Sequence, residues 1–402
     1  MKQRIIFSSA KNSYSFLKTE PGHFSLNLKI NFLSSDETFD FSYIDLEKEN
    51  LSDFILYLYK SQASFSFYLV LGNISNLNSL EKNIAEFLTK LSDIEPSRTY
   101  SLRFISKKDH NDKIEQTIKN IFSKNSYRHS YTSNNSFYIL KNKDSFFLLS
   151  SIIDGRSAKR YYNLYSSNRP IRPDLAALLV LKALAFAKNK EKIFIPFMND
   201  GNLALEAAHL VLKIPIREKQ KQLFKSPMLK TAINKISRNQ EIVLPQKNRE
   251  PEKSPKIYAL EKMPEYLKAK KNIKLDGLED LIFYSDKSIL DNKFSSKLRP
   301  KFFDMTISLL PEKIINLKTQ KDLSIIVKEN KRFSDLLSEL ARTASENAII
   351  ALALQMGQKE IDIAIKPGTK ILPNLKIADS KKIMQGKNHF LFLFFTNSIE
   401  NI

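Results

Sequence analysis

The chain has 402 residues, 42% of them hydrophobic, with 64 Lys+Arg against 43 Asp+Glu (formal charge +21) and no cysteine. That length predicts two or three domains, the apolar content excludes a disordered chain, and the lack of cysteine excludes disulfides, thiol nucleophiles and cysteine-ligated zinc. The positive excess favours a polyanionic partner, most simply RNA or DNA, although an AT-rich genome produces the same Lys-, Asn-, Ile- and Phe-rich composition.

No apolar run reaches the length of a membrane span. LAALLVLKALAFA (175–187) is broken by Lys182 and has helix length, and FLFLFF (390–395) has strand length. The N-terminal MKQRIIFSSAKNSYSF has no apolar core followed by a cleavage site, so a cytoplasmic protein with no membrane partner is expected.

In chain order, residues 1–60 mix alternating stretches such as NLKINFL and DFSYIDL. They predict an α+β segment of ferredoxin-like type. A strand follows at 65–72, a helix at 79–91 with Leu80, Ile84, Phe87, Leu88 and Leu91 on one face, and a strand at 99–105. A helix at 112–124 and a hairpin of 136–140 with 145–153 complete a small α+β unit over 61–160. A linker, 161–173, leads into β/α alternation: helix 174–188, strand 192–197, helix 202–212, strand 256–261, helix 264–274, strands 281–285 and 302–308, helix 331–344, and strands 346–355 and 389–396. This predicts a doubly wound sheet over 174–402, with a basic insert at 213–256 carrying twelve basic and four acidic residues.

In such a sheet the ligand lies beyond the C-terminal strand ends. The first strand ends in IFIPFMNDGN (193–202) and the second in Glu261, an acid where ribose hydroxyls are commonly held. The third ends in Asp286, where a carboxylate meets an adenine amine, and the fourth in Leu309-Leu310-Pro311-Glu312. Glu261 and Asp286 are equally well read as solvated strand ends. Five histidines show no metal-ligand spacing, and neither a P-loop nor a G-x-S-x-G elbow occurs.

These residues carry a resemblance. DGRSAKRYYN, RPIRPDLAALLVL, IFIPFMNDGNLALEAA, FDMTISLLPE and SKKIMQGKNHFLFLFF resemble, in order and spacing, five blocks of the THUMP-domain class I RNA methyltransferases of the bacterial 23S rRNA guanine-N2 group. The resemblance runs from about residue 60 to the end. It implies a THUMP-like RNA-binding domain over 61–160 and a Rossmann-like domain that binds S-adenosylmethionine. The cofactor residues would then be Pro196, Phe197, Asn199, Gly201, Glu261 and Asp286. The catalytic turn would be Ser308, Leu309, Leu310, Pro311 and Glu312.

The departures from the family are chemical. The motif's leading Asp is Ile195 and its first glycine is Asn199, while Met198 and Asp200 replace smaller residues. Asn199 tolerates positive φ, but its side chain fills space that glycine leaves to a ligand. Asn202 takes the place of the threonine atop the helix, as a tolerable cap. In N-P-P-Y the Asn and a proline carbonyl accept hydrogen bonds from the guanine amine, and the Tyr stacks on the base. Here those positions are Leu309 and Glu312, of which leucine accepts nothing and glutamate cannot stack. A one-residue slip puts Ser308 at the Asn position but proline at that of the Tyr.

The segment 155–173 holds five basic residues and no acid, with tyrosines interleaved. Arg156, Lys159, Arg160, Tyr161, Arg169 and Arg172 are therefore candidate RNA contacts; alternatively the tyrosines pack between domains and the charges are a solvated linker. The expectation is an RNA-binding member of this family, for ribosomal or precursor RNA, in which methyl transfer is weakened or lost: a pseudoenzyme. The alternative is an active S-adenosylmethionine-dependent guanine-N2 methyltransferase of rRNA or tRNA, with Ser308 or a backbone carbonyl holding the amine.

Overall fold

A computed structural model describes residues 3–64, 66–92, 98–133, 135–143, 145–153, 160–167, 170–217, 255–311, 314, 323–356, 367–385 and 388–397. Two mixed α/β halves, each built on an eight-stranded sheet, make up the fold.

The first sheet runs in the order β2 (Asn31–Ser35), β3 (Phe39–Leu46), β1 (Gln3–Ala10), β4 (Ser66–Asn73), β8 (Ser145–Ile153), β7 (Ser136–Asn142), β5 (Thr99–Phe104), β6 (Arg128–His129). Strand β1 pairs antiparallel with both β3 and β4, so residues on either side of position 60 share one continuous sheet. Helices α1 (Tyr14–Leu17), α2 (Glu20–His23) and α3 (Leu51–Lys60) belong to its N-terminal part. Helices α4 (Leu77–Ser92) and α5 (Asp112–Lys124) cover the other end, burying Leu80, Ile84, Leu88, Ile118 and Phe122 at the expected helical spacing.

The second sheet has the order β11 (Ile282–Ser285), β10 (Lys256–Leu260), β9 (Lys192–Ile195), β12 (Phe303–Leu310), β13 (Ala344–Met356), β16 (Asn388–Asn397), β15 (Leu375–Gln385), β14 (Lys370–Leu372). Strands β11 through β13 are parallel, and β16 enters antiparallel between β13 and β15. That is the doubly wound sheet expected over 174–402, ending in the antiparallel pair β15–β16. Helix α6 (Pro173–Phe186) starts on a proline, whose missing N–H costs nothing at a helix start. It is apolar almost all round and buried almost all round, as an interior helix must be. Helix α7 (Asn202–Leu212) lies beside it and α8 (Glu265–Asp276) beside α7, while α9 (Asn292–Ser295), α10 (Leu323–Glu329) and α11 (Lys331–Thr343) follow later in the chain.

The apolar pattern identified most of the long strands and helices. It missed α3 and β15, and the shorter α1, α2, α9, α10, β6 and β14, as well as the partly polar β1. The two halves share one apolar core that runs from Phe7 and Phe54 through Leu178 to Phe392. Phe16 stacks on Phe392 (centroids 6.3 Å) and meets Phe394 edge-on (5.9 Å). Met384 N–H donates to Lys11 O (3.1 Å), so the halves also share a backbone hydrogen bond. Among the described residues no helix is long and apolar enough to cross a membrane.

Candidate cofactor and catalytic site

Strand β9 ends at Ile195, and the chain turns through Pro196–Gly201 into α7. Met198 is fully buried and its N–H donates to Leu260 O (3.0 Å); Gly201 N–H donates back to Met198 O (2.9 Å). Asn199 has φ +54°, a conformation asparagine accepts more readily than most residues. Gly201 has φ +88°, and a Cβ there would stand 3.3 Å from Ala269 Cα on α8. That glycine is fixed by helix packing as well as by its backbone conformation. The helix is capped by Gly201 itself, not by Asn202. Asn202 is buried and sends its amide to Ile171 O (3.1 Å) and Asp200 (3.3 Å), correcting the capping role expected of it.

Glu261 accepts Asn199 N–H on one oxygen (2.7 Å) and Lys262 N–H on the other (2.9 Å). Burial raises its pKa, and these two N–H groups offset part of that. The carboxylate is thus fixed at the end of β10 and retains one free lone pair per oxygen for a diol. Asp286 stands half-exposed beyond β11, 3.6 Å from Lys287. Phe197, Leu260, Ile289 and Leu310 belong to the buried apolar core that also holds Phe194, Phe303 and Leu340.

The position of the catalytic turn is strand. Strand β12 pairs with β9 only at Met305 and Thr306, but beside β13 it continues through Leu309↔Ala353 and Leu310↔Leu354. Ser308, the alternative acceptor for a guanine amine, is fully buried, and its hydroxyl meets only Leu309 O at 3.5 Å. With no exposed surface, that hydroxyl is not open to an entering amine as it stands. Leu309 and Leu310 are buried, Pro311 is exposed, and Glu312 lies outside the described residues. A bare-backbone loop and an amine acceptor are what S-adenosylmethionine and guanine would need. The loop fits poorly and the turn does not fit; only Glu261 and Asp286 suit the cofactor.

Asp200 is fully buried in the loop, near Asn202 N–H and Ser167 N–H (both 3.4 Å). Burial pushes its pKa to about 6, more than those N–H groups pull it down. The folded state therefore holds this proton to higher pH than the unfolded chain does. The stability this group contributes is greatest below pH 4 and is lost as the pH rises through about 6. Asp200→Asn is expected to be more stable than wild type above pH 7, by on the order of 2 kcal/mol. The gain should shrink toward zero by pH 4. Urea denaturation across pH 4–8 reads this, and a pH-independent difference would refute it.

The candidate RNA contacts divide. Arg156, Lys159 and Arg169 lie outside the described residues. Arg160 is buried: its guanidinium bonds Glu206 (2.6 Å) on α7 and Gln62 O (2.7 Å) from the first half. It joins the halves instead of meeting phosphate, because leaving Glu206 would strand a buried charge on both sides. Tyr161 and Tyr162 place their hydroxyls on Asp276 and Glu206, and Asp276 also holds His209 Nε2 (2.6 Å). These tyrosines pack between elements rather than facing bases, a correction for Tyr161. Arg172 forms a two-pronged contact with Asp174 (2.8 and 2.9 Å).

Sequence reading missed Asn272, which is fully buried on α8. Its carboxamide accepts Tyr165 N–H (3.1 Å) and donates to Tyr165 O (2.9 Å) and Asp200 O (2.8 Å). The available signal was an Asn and an Asp at 272 and 276, on the same face as Ala269 and Ile273 in a lysine-rich helix.

Comparison with known proteins agrees with this geometry. Residues 160–311 match UPF0020, the RMKL-like methyltransferase domain. Similar solved structures include TrmN from Thermus thermophilus, at 12% identity over 98% of this chain and 99% of that one, with a TM-score of 0.63. A "possible methylase" from Clostridium difficile 630 has 14% identity over the whole of both chains and a TM-score of 0.63. SMU.472, complexed with SAH, has 13% identity over 99% of both chains and a TM-score of 0.60. At such identities the likeness establishes the fold. No curated protein matches the sequence.

Proposed function

Residues 160–311 are an RMKL-like methyltransferase domain, and from that premise we propose that the chain is an RNA-binding relative of the THUMP-domain rRNA guanine-N2 methyltransferases in which methyl transfer is weakened or lost. The observation that carries this is β12 running as buried apolar strand through Leu309 and Leu310, where the reaction needs an amine acceptor. Losing such a group costs about 10² to 10⁵ in rate or discrimination. The loop supports the same reading, since Asn199 and buried Met198 replace the small residues that would admit a cofactor. The first half, as a THUMP-like domain, and the charge of +21 support RNA, ribosomal or precursor, as the partner.

The test is calorimetric titration of the folded protein with S-adenosylmethionine and, separately, S-adenosylhomocysteine. Neither is expected to give measurable heat or a thermal shift at millimolar concentration. Micromolar binding of either would favour the active enzyme, with Glu261 holding the ribose, and methyl transfer to ribosomal RNA would then be assayed.

A further inference from the structure

Tyr165 is presented outward by a buried clamp. Asn272 takes both its N–H and its C=O, and the same carboxamide ties it to Asp200 of the 196–201 loop. Fixed this way, Tyr165 is 41% exposed and its neighbour Leu164 67% exposed. Lys271 Nζ lies 4.8 Å from the Tyr165 ring centroid.

Helix α8 supplies the surroundings. Its buried stripe is Ala269, Asn272, Ile273 and Asp276, so Leu267, Lys270, Lys271, Lys274 and Leu275 point away from the core. Of the helix's two carboxylates, Asp276 is buried and Glu265 pairs with Lys268 (3.1 Å). The outward face therefore carries three lysines and no acid. An exposed aromatic ring on a fixed backbone, beside a lysine face without an acid, is the pairing that single-stranded nucleic acid requires, a base on the ring and phosphates on the cations.

We propose that Tyr165 is a stacking platform for an unpaired RNA base and that Lys270, Lys271 and Lys274 hold the flanking phosphates. This rests on the RNA-binding reading above. It places the contact on the methyltransferase half, next to the cofactor loop, through a residue that the half-buried Tyr161 and the buried Tyr162, both tied to carboxylates, cannot replace.

The experiment is fluorescence anisotropy with a labelled single-stranded RNA of about 12 nucleotides and a blunt RNA duplex of equal length, over a salt series. Tyr165→Ala should weaken single-strand binding roughly tenfold or more, and leave duplex binding and the salt slope as in wild type. Tyr165→Trp should keep wild-type affinity. Lys271→Ala should lower the salt slope by about one. Both side chains are surface groups, and equal melting temperatures of the three variants would confirm intact folds. Wild-type affinity in Tyr165→Ala overturns the platform while leaving RNA binding standing, as does an equal loss on strand and duplex. A wild-type protein that binds neither RNA overturns the RNA-binding reading and the platform with it.

Discussion

Replacing Glu206 by alanine is expected to destabilise the protein by about 3–5 kcal/mol. The carboxylate is fully buried and takes the Arg160 guanidinium at 2.6 Å together with the Tyr162 hydroxyl. Removing it strands an arginine charge in the core, and that charge also anchors Gln62 O of the first half (2.7 Å). The cost is that of the uncompensated ion rather than the net worth of the pair, so removing both charges should be gentler. Arg160→Met/Glu206→Leu should lie well above Glu206→Ala in stability. Urea denaturation followed by circular dichroism measures both, and a loss below about 1 kcal/mol in Glu206→Ala would refute the role assigned to the pair.

The second large effect concerns the reaction. The triple variant Asn199→Gly, Leu309→Asn, Glu312→Tyr rebuilds the family's residues at the three departures named above. In a pocket that is only weakened, regaining the amine acceptor alone would raise the rate about 10²-fold or more. We expect less than tenfold, because β12 runs on as buried strand through Leu309 and Leu310 and Met198 is fully buried in the loop. Transfer of a radiolabelled methyl group to ribosomal RNA reads the outcome. A hundredfold gain would mean that substitution at the turn, not closure of the pocket, is what holds activity down.

The sequence exposed the parallel strands of the second half, because strands buried on both faces announce themselves as apolar runs, such as KIFI (192–195) and FDMTISLL (303–310), but not the more polar β14 and β15. It exposed the first sheet less well, since β1 contains two serines and pairs with strands far along the chain that no local pattern reveals. At the candidate site, residue identities were legible but partners were not. Arg160 and Arg172 look alike in a basic segment. Only the fold distinguishes a buried arginine on Glu206 from a half-exposed one on Asp174. Likewise Tyr161, Tyr162 and Tyr165 form one cluster in sequence, and it is Asn272, more than a hundred residues later, that turns the last of them outward.

The shared core has a consequence for how such a chain can diverge. Phe16 of the first half rests on Phe392 and Phe394 of the second, and His23 reaches Leu210 O (2.9 Å) across the same boundary. Neither half is a detachable module: cut apart, each would expose its share of a common interior and of the buried ion pair. Selection for the front half therefore preserves the back half as its foundation, whatever becomes of the chemistry there. A methyltransferase sheet can in this way outlive its reaction.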